Sequence, residues 1–314
     1  MKRIIVSVVI CMIFLSAYNT KAQITIAEKL GFDKDAKLLI VHADDAGMCN
    51  SENLATEDAL ISGAVSSTSI MMPCPWADDF IAWALKHPEA DIGIHLTLTA
   101  EWEYYRWKGV LPSDQIPTLL DKEGYFPRTA QELVNQADLK EVEAELRAQI
   151  DRAIELGLKP SHLDSHMATT LQTPELIRLF LKLGKEYRIP NMLSRYMANK
   201  YHLLQDDKYK DMLFIDNLSF LRGLSPDKWD TEYRKIFKEM KPGLNQLILH
   251  AAFDNLELQS ITVNHTEANS VWRQRDYNFV KSRLFRSMLK EYDIHVITWR
   301  EVQKVLFDDE VKKK

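Results

Sequence analysis

Short, almost wholly apolar runs alternate along this chain with longer stretches in which apolar residues return every three or four positions. The short runs read as strands buried on both faces, the longer stretches as amphipathic helices. Strands are predicted at 38–43, 66–72, 92–98, 161–164, 191–194, 246–250 and 294–298. Helices are predicted at 53–61, 76–86 and 277–291, and through Val142, Leu146, Ile150, Ala153 and Ile154 to a stop at Gly157. A further helix at 174–187 has Thr173 placed to cap it and Pro174 at its first position. Strands regularly followed by helices predict an α/β fold, a parallel sheet with helical crossovers. Seven strands in this order fit a closed or nearly closed (β/α) barrel better than a flat open sheet.

The first run ends unusually. Leu38-Leu39-Ile40-Val41 passes through His42-Ala43 into Asp44-Asp45-Ala46-Gly47. Neighbouring strand residues point to opposite faces, so two adjacent aspartates at the end of a buried strand imply that the strand breaks into a turn there. In parallel α/β folds the carboxyl ends of strands are where ligands sit.

Composition narrows the classes. The 314 residues are 46% hydrophobic and 27% charged, with a net charge of −5 and no clustered basic face. Nucleic acid is an unsuited partner, and an anionic membrane surface equally so. Lys2-Arg3, an apolar run through Leu15 and Thr20-Lys21-Ala22 read as a secretory signal peptide over residues 1–22, cleaved after Ala22. The run is too short for a membrane span, and no other segment could cross one. The expectation is a single domain over 23–314, exported to the periplasm or the medium, with assembly into a homo-oligomer left open. Export permits a Cys49–Cys74 disulfide; two small buried thiols are the alternative.

Two stretches break the rhythm. Residues 101–126 carry Trp102, Tyr104, Tyr105, Trp107, Tyr125 and Phe126 and form a long loop over the barrel mouth, suited either to sugar rings or to a small core of its own. Residues 252–275 carry His265, Trp272, Arg273 and Arg275.

Three further runs carry metal-type ligands. His95 sits inside Gly93-Ile94-His95-Leu96-Thr97, where a lone histidine is ordinarily a hydrogen-bonded core residue. His162, Asp164 and His166 have period-two spacing and share a face of an extended strand, which is costly unless something such as a metal compensates them. His250 ends another buried run. One carboxylate and two imidazoles with open positions form a common catalytic metal set. Asp44 or Asp45 with His95 and His166 supplies it from three strand ends, leaving the second aspartate free to act as a base.

Taken together, His42-Ala43-Asp44-Asp45-Ala46-Gly47, Gly93-Ile94-His95-Leu96-Thr97, and His162-Leu163-Asp164-Ser165-His166 resemble, in order and separation, the YdjC-like carbohydrate deacetylases, a group that includes chitooligosaccharide deacetylases. Ser66-Ser67-Thr68-Ser69 also fits, and the resemblance spans about residues 38–299. It implies a distorted, TIM-like (β/α) barrel and metal-dependent removal of acetyl groups from N-acetylated oligosaccharides. By position, Asp45, His95 and His166 would bind one divalent ion, magnesium or zinc. Asp44 would be the general base and His250 the general acid. The chain departs from the family at Ala46, where an aromatic is usual, at Met167-Ala168-Thr169-Thr170, where more histidines are usual, and at Ala251-Ala252, where Pro-Gly is usual.

Around that set, Asp164 is expected to orient His162 or a ligand imidazole, and Arg273 or Arg275 to hold Asp44 ionised. Trp102 is a candidate substrate contact. Rival readings keep the site and change the chemistry: a deacylase of non-sugar amides or esters, or a sugar-binding relative without catalysis. A glycosidase needs two carboxyls on opposite sides of the scissile bond, which adjacent aspartates supply poorly.

Overall fold

The computed structural model describes residues 24–210, 212–221 and 228–307. The predicted signal peptide lies outside them. The strands are β1 (Lys37–Ala46), β2 (Ser67–Ile70), β3 (Ile92–Leu96), β4 (Leu163–Ser165), β5 (Asn217–Ser219), β6 (Gly243–Leu249) and β7 (Ile294–Val296). They form one sheet in the order β4-β3-β2-β1-β6-β5, with β7 also on β1, and every pairing is parallel. The sheet curls into a half-barrel with helical crossovers, a distorted TIM-like barrel.

The distortion has two sources. β6 takes residues 37–43 along one edge of β1. The other edge is shared, with β7 on residues 37–39 and β2 on residues 42–46. On the far side, the predicted strand 191–194 is not a ladder strand. It spans the gap between β4 and the chain entering β5 through two isolated bridges, Leu163 with Asn191 and Ser194 with Ile215. β5 itself escapes sequence reading, because Asn217–Ser219 is exposed or half-buried and shows no apolar run. The predicted helix at 277–291 is two, Ser270–Lys281 and Arg283–Glu291, since Ser282 turns to extended backbone and caps the second through the Phe285 amide. Pro174–Tyr187 lies where capping and periodicity place it.

Alternation along β1 sorts the core. Leu38 and Ile40 pack with Leu244, Ile248, Met192 and Trp299 in one cluster. Leu39, Val41 and Ala43 pack in another with Tyr233, Phe279, Phe285 and Met288 of the covering helices. By the same period His42 and Asp44 belong with Leu38 and Ile40. Cys49 and Cys74 are both buried and free. Among the described residues no helix is long and apolar enough to cross a membrane.

Candidate metal centre

Asp45 would face away from Asp44 on a regular strand. It does not, because its φ is +67° and the β1–β2 register slips between Ala43 and Ala46. This bulge brings both carboxylates to the same side. β3 contributes His95, and His166 follows β4. Asp45 Oδ1 then lies 3.3 Å from His95 Nε2 and 3.3 Å from His166 Nδ1. These three buried residues form one of the donor groups able to hold a metal ion.

The remaining polar atom of each is occupied. His95 Nδ1–H donates to Asp164 at 2.6 Å, which leaves Nε2 facing the centre. His166 Nε2 meets Glu101 at 3.0 Å, which leaves Nδ1 facing the centre. Arg273 donates to Asp45 Oδ2 at 2.9 Å and also to Glu52. Asp45 Oδ1 is buried and yet accepts no hydrogen bond from either ring. An orphaned carboxylate oxygen facing two imidazole nitrogens, each ring held by a carboxylate behind it, fits a divalent cation.

The electrostatics follow from this packing. Burial disfavours the Asp45 carboxylate, but Arg273, His166 and His95 outweigh it and hold its pKa well below the ordinary carboxylate value. Burial likewise opposes protonation of His166, yet Glu101 and Asp45 raise it to about 9. His95 is also raised well above its ordinary value, against burial, by Asp164 and Asp44.

Asp44 lies beside this triad and shares His95 with it, and Asp44, His95 and Asp164 form another of the donor groups able to hold a metal ion. Asp44 Oδ1 is 3.1 Å from His42 Nε2, and its Oδ2 faces His95 Nε2 at 4.0 Å and His250 Nε2 at 3.9 Å. His42 Nε2 is also 3.1 Å from Asp164, to which the Ser69 hydroxyl donates at 2.7 Å. Burial works against a charged His42, but Asp164 and Asp44 raise it to about 9. Burial lowers His250 to about 4, so its imidazole is neutral at neutral pH. The His250 backbone N–H donates to Asp276 at 2.8 Å.

Several expectations need correction. Arg273 pairs with Asp45, not Asp44. Arg275 is not at the site: its guanidinium lies over the Trp229 ring, at 5.7 Å. Of the two partners expected for Asp164, it meets the proposed ligand imidazole, His95, and also His42, whereas His162 stacks on Trp299 at 5.3 Å and bonds Ser161. Trp102 is fully buried, with its N–H on Met48 Sδ and its ring 5.4 Å from the Arg273 guanidinium, so it packs behind the site. In the aromatic loop, Trp107 and Phe126 are buried as well, and Tyr104 is exposed.

Sequence reasoning did not single out His42, Ser69, Glu52, Glu101 or Asp276. His42 was legible, since it is two positions before Asp44 on the same strand face. Asp276 follows Arg273 by three on a helix and so shares its face. Glu101 and Glu52 carry no local signal.

Residues 38–291 match the family model described as YdjC-like protein. The chain belongs to the YdjC-like family. A carbohydrate deacetylase of Thermus thermophilus is 31% identical over 290 residues, covering 89% of this chain and 98% of the relative. One from Thermoanaerobacter pseudethanolicus is 27% identical over 234 residues, covering 74% and 87%. Among solved structures, an Enterococcus faecalis protein provisionally named for cellobiose-phosphate cleavage superposes with a TM-score of 0.70 at 24% identity, over 85% of this chain and 99% of that one. That likeness concerns the fold.

Proposed function

We propose that this protein is an exported, metal-dependent carbohydrate deacetylase that hydrolyses the acetamide groups of N-acetylated sugars. The observation that carries the reading is the convergence of Asp45 Oδ1, His95 Nε2 and His166 Nδ1 beside a separate carboxylate, Asp44, and a separate imidazole, His250. Family relatives named carbohydrate deacetylase support the substrate class. Asp45, His95 and His166 would hold one divalent ion, Mg2+ or Zn2+, and two nitrogen donors favour zinc. Such an ion supplies Lewis-acid polarisation of the amide carbonyl and lowers the pKa of a water it holds.

The chain's own residues do the rest. Asp44, with Oδ1 against His42 and Oδ2 facing the centre, takes a proton from the attacking water. The hydroxide adds to the acetamide carbon, the carbon–nitrogen bond breaks, and the nitrogen leaves as an amine once protonated. His250 delivers that proton. His250 Nε2 lies 3.9 Å from Asp44 Oδ2, a separation that one bridging water spans, so the proton taken by Asp44 reaches the leaving nitrogen through that water and His250. Arg273 keeps Asp45 anionic throughout.

The test is acetate release from a panel of N-acetylated oligosaccharides, with and without added zinc or magnesium, beside His95→Ala. Release that needs metal and vanishes in the variant supports the reading. Turnover of an aryl acetate with none on sugars moves it to a non-sugar deacylase. Metal binding without turnover moves it to a sugar-binding relative. Export rests on Lys2-Arg3, the apolar run and Thr20-Lys21-Ala22. N-terminal sequencing of protein from the periplasm or medium should begin at Gln23.

A further inference from the structure

Directly after His166 the backbone does something costly. Met167 (φ 50°, ψ 23°) and Ala168 (φ 54°, ψ 29°) are consecutive left-handed residues, and neither is glycine. Side chains rarely adopt this conformation, and such outliers gather at functional sites. The turn is firmly held. The Thr169 hydroxyl donates to the His166 carbonyl at 3.0 Å, the Thr170 N–H to Ser165 Oγ at 3.0 Å, and the Gln172 side-chain Nε2 to the Ala168 carbonyl at 3.0 Å. Its outcome is a 38%-exposed methionine between buried His166 and Thr169. The Met167 sulfur lies 3.4 Å from Thr99 Oγ1, so the side chain stands between the chain leaving β3 and the chain leaving β4. Glu101, two residues past Thr99, holds the His166 ring from the same loop. Glycine would relieve the backbone here. An adaptable, partly exposed thioether next in the chain to His166 is suited to an apolar ligand surface.

We propose that Met167 is a specificity-determining substrate contact, placed against the apolar C–H face of the pyranose ring that carries the scissile acetamide. This rests on the deacetylase reading and adds to it the residue that recognises the ring. Binding energy from this face acts on the ring in ground state and transition state alike, so its loss raises KM and spares kcat.

The experiment compares wild type with Met167→Ala, Met167→Gly and Met167→Leu on N,N′-diacetylchitobiose and on 4-nitrophenyl acetate, which has no sugar ring. The alanine and glycine variants are expected to raise KM for the sugar about tenfold, with kcat within about twofold. The rise should be smaller for the aryl acetate, whose ring lacks the pyranose C–H face, and leucine should restore most of the loss on the sugar. Zinc affinity, read by chelator competition, should be the same in all four. Met167→Gly should also melt higher than wild type, because glycine accepts this φ freely. An unchanged sugar KM in both the alanine and the glycine variants overturns the assignment while leaving the deacetylase reading intact. A wild type that turns over the aryl acetate and no N-acetylated sugar overturns both.

Discussion

Asp45 shows how much one residue's backbone decides. Its positive φ turns a carboxylate that strand alternation would aim away from Asp44 into the neighbour of His95 and His166. Adjacent aspartates can therefore take separate tasks in the proposed chemistry. Asp44→Asn should lower kcat about 10²–10⁴-fold, with metal content by elemental analysis unchanged. Loss of the metal as well would reverse the assignment of the two aspartates. Glu101 and Asp164 act through the rings they hold. Glu101→Ala and Asp164→Asn should each weaken metal binding by about 10–100-fold, measured by competition with a chromogenic chelator. Unchanged affinity in both would mean that the ring orientations are set by packing alone.

At the scale of elements, β3 and the chain entering β4 are fitted to each other at Gly93. A Cβ built there would stand 2.4 Å from Cε1 of His162, whose ring is packed between Trp299 and His42. The His162 ring occupies the space that any other residue at 93 would need. Gly93→Ala should destabilise the fold by about 1–3 kcal/mol, read as a lower urea midpoint with an unchanged slope. It should also disturb His42, and with it the contact below Asp44. The site spans several elements: Asp44 and Asp45 leave β1, His95 is on β3, His166 follows β4, His250 follows β6, and Arg273 reaches in from the helix Ser270–Lys281. A lesion in any of these elements is felt at the centre.

For the whole molecule, the buried charge couples pH and stability, and in the proposed metal site it would couple both to the cation. His42 and His166 are each raised to about 9, above the ordinary histidine value of 6.5. Their stabilising contribution to the metal-free protein is therefore complete below pH 6.5 and is lost as pH rises through 9. In the proposed metal site a cation would compete with the proton on His166, so its binding is expected to strengthen as pH rises towards 9 and to release protons. The Tm of chelator-treated protein should fall from pH 6.5 to 9, while the gap to the zinc-loaded protein widens. A gap that stays constant across that range would show that the His166 imidazole is already neutral without metal.

Much of this molecule was legible in the chain itself. Apolar runs and helical periods carry the barrel class, because burial on both faces and on one stripe leave different patterns. The order of Asp44-Asp45, His166 and His250 at run ends, with His95 inside its run, carries the candidate donors, because parallel folds gather strand ends on one face. What only the tertiary structure decided involves atoms brought together across long separations or set by a single dihedral. The bulge at Asp45 aims its carboxylate, and Glu101 and Asp164 select the free nitrogen of each ring. Arg273 chooses Asp45 over Asp44, and Arg275, two positions further along the same helix, turns instead to Trp229. Segment 191–194 closes the wall by bridges too few to form a ladder, and β5 lies at an exposed edge. Local pattern records which residues are buried. Which buried polar atoms meet depends on loop paths and on a left-handed backbone at non-glycine residues, and neither leaves a period in the sequence.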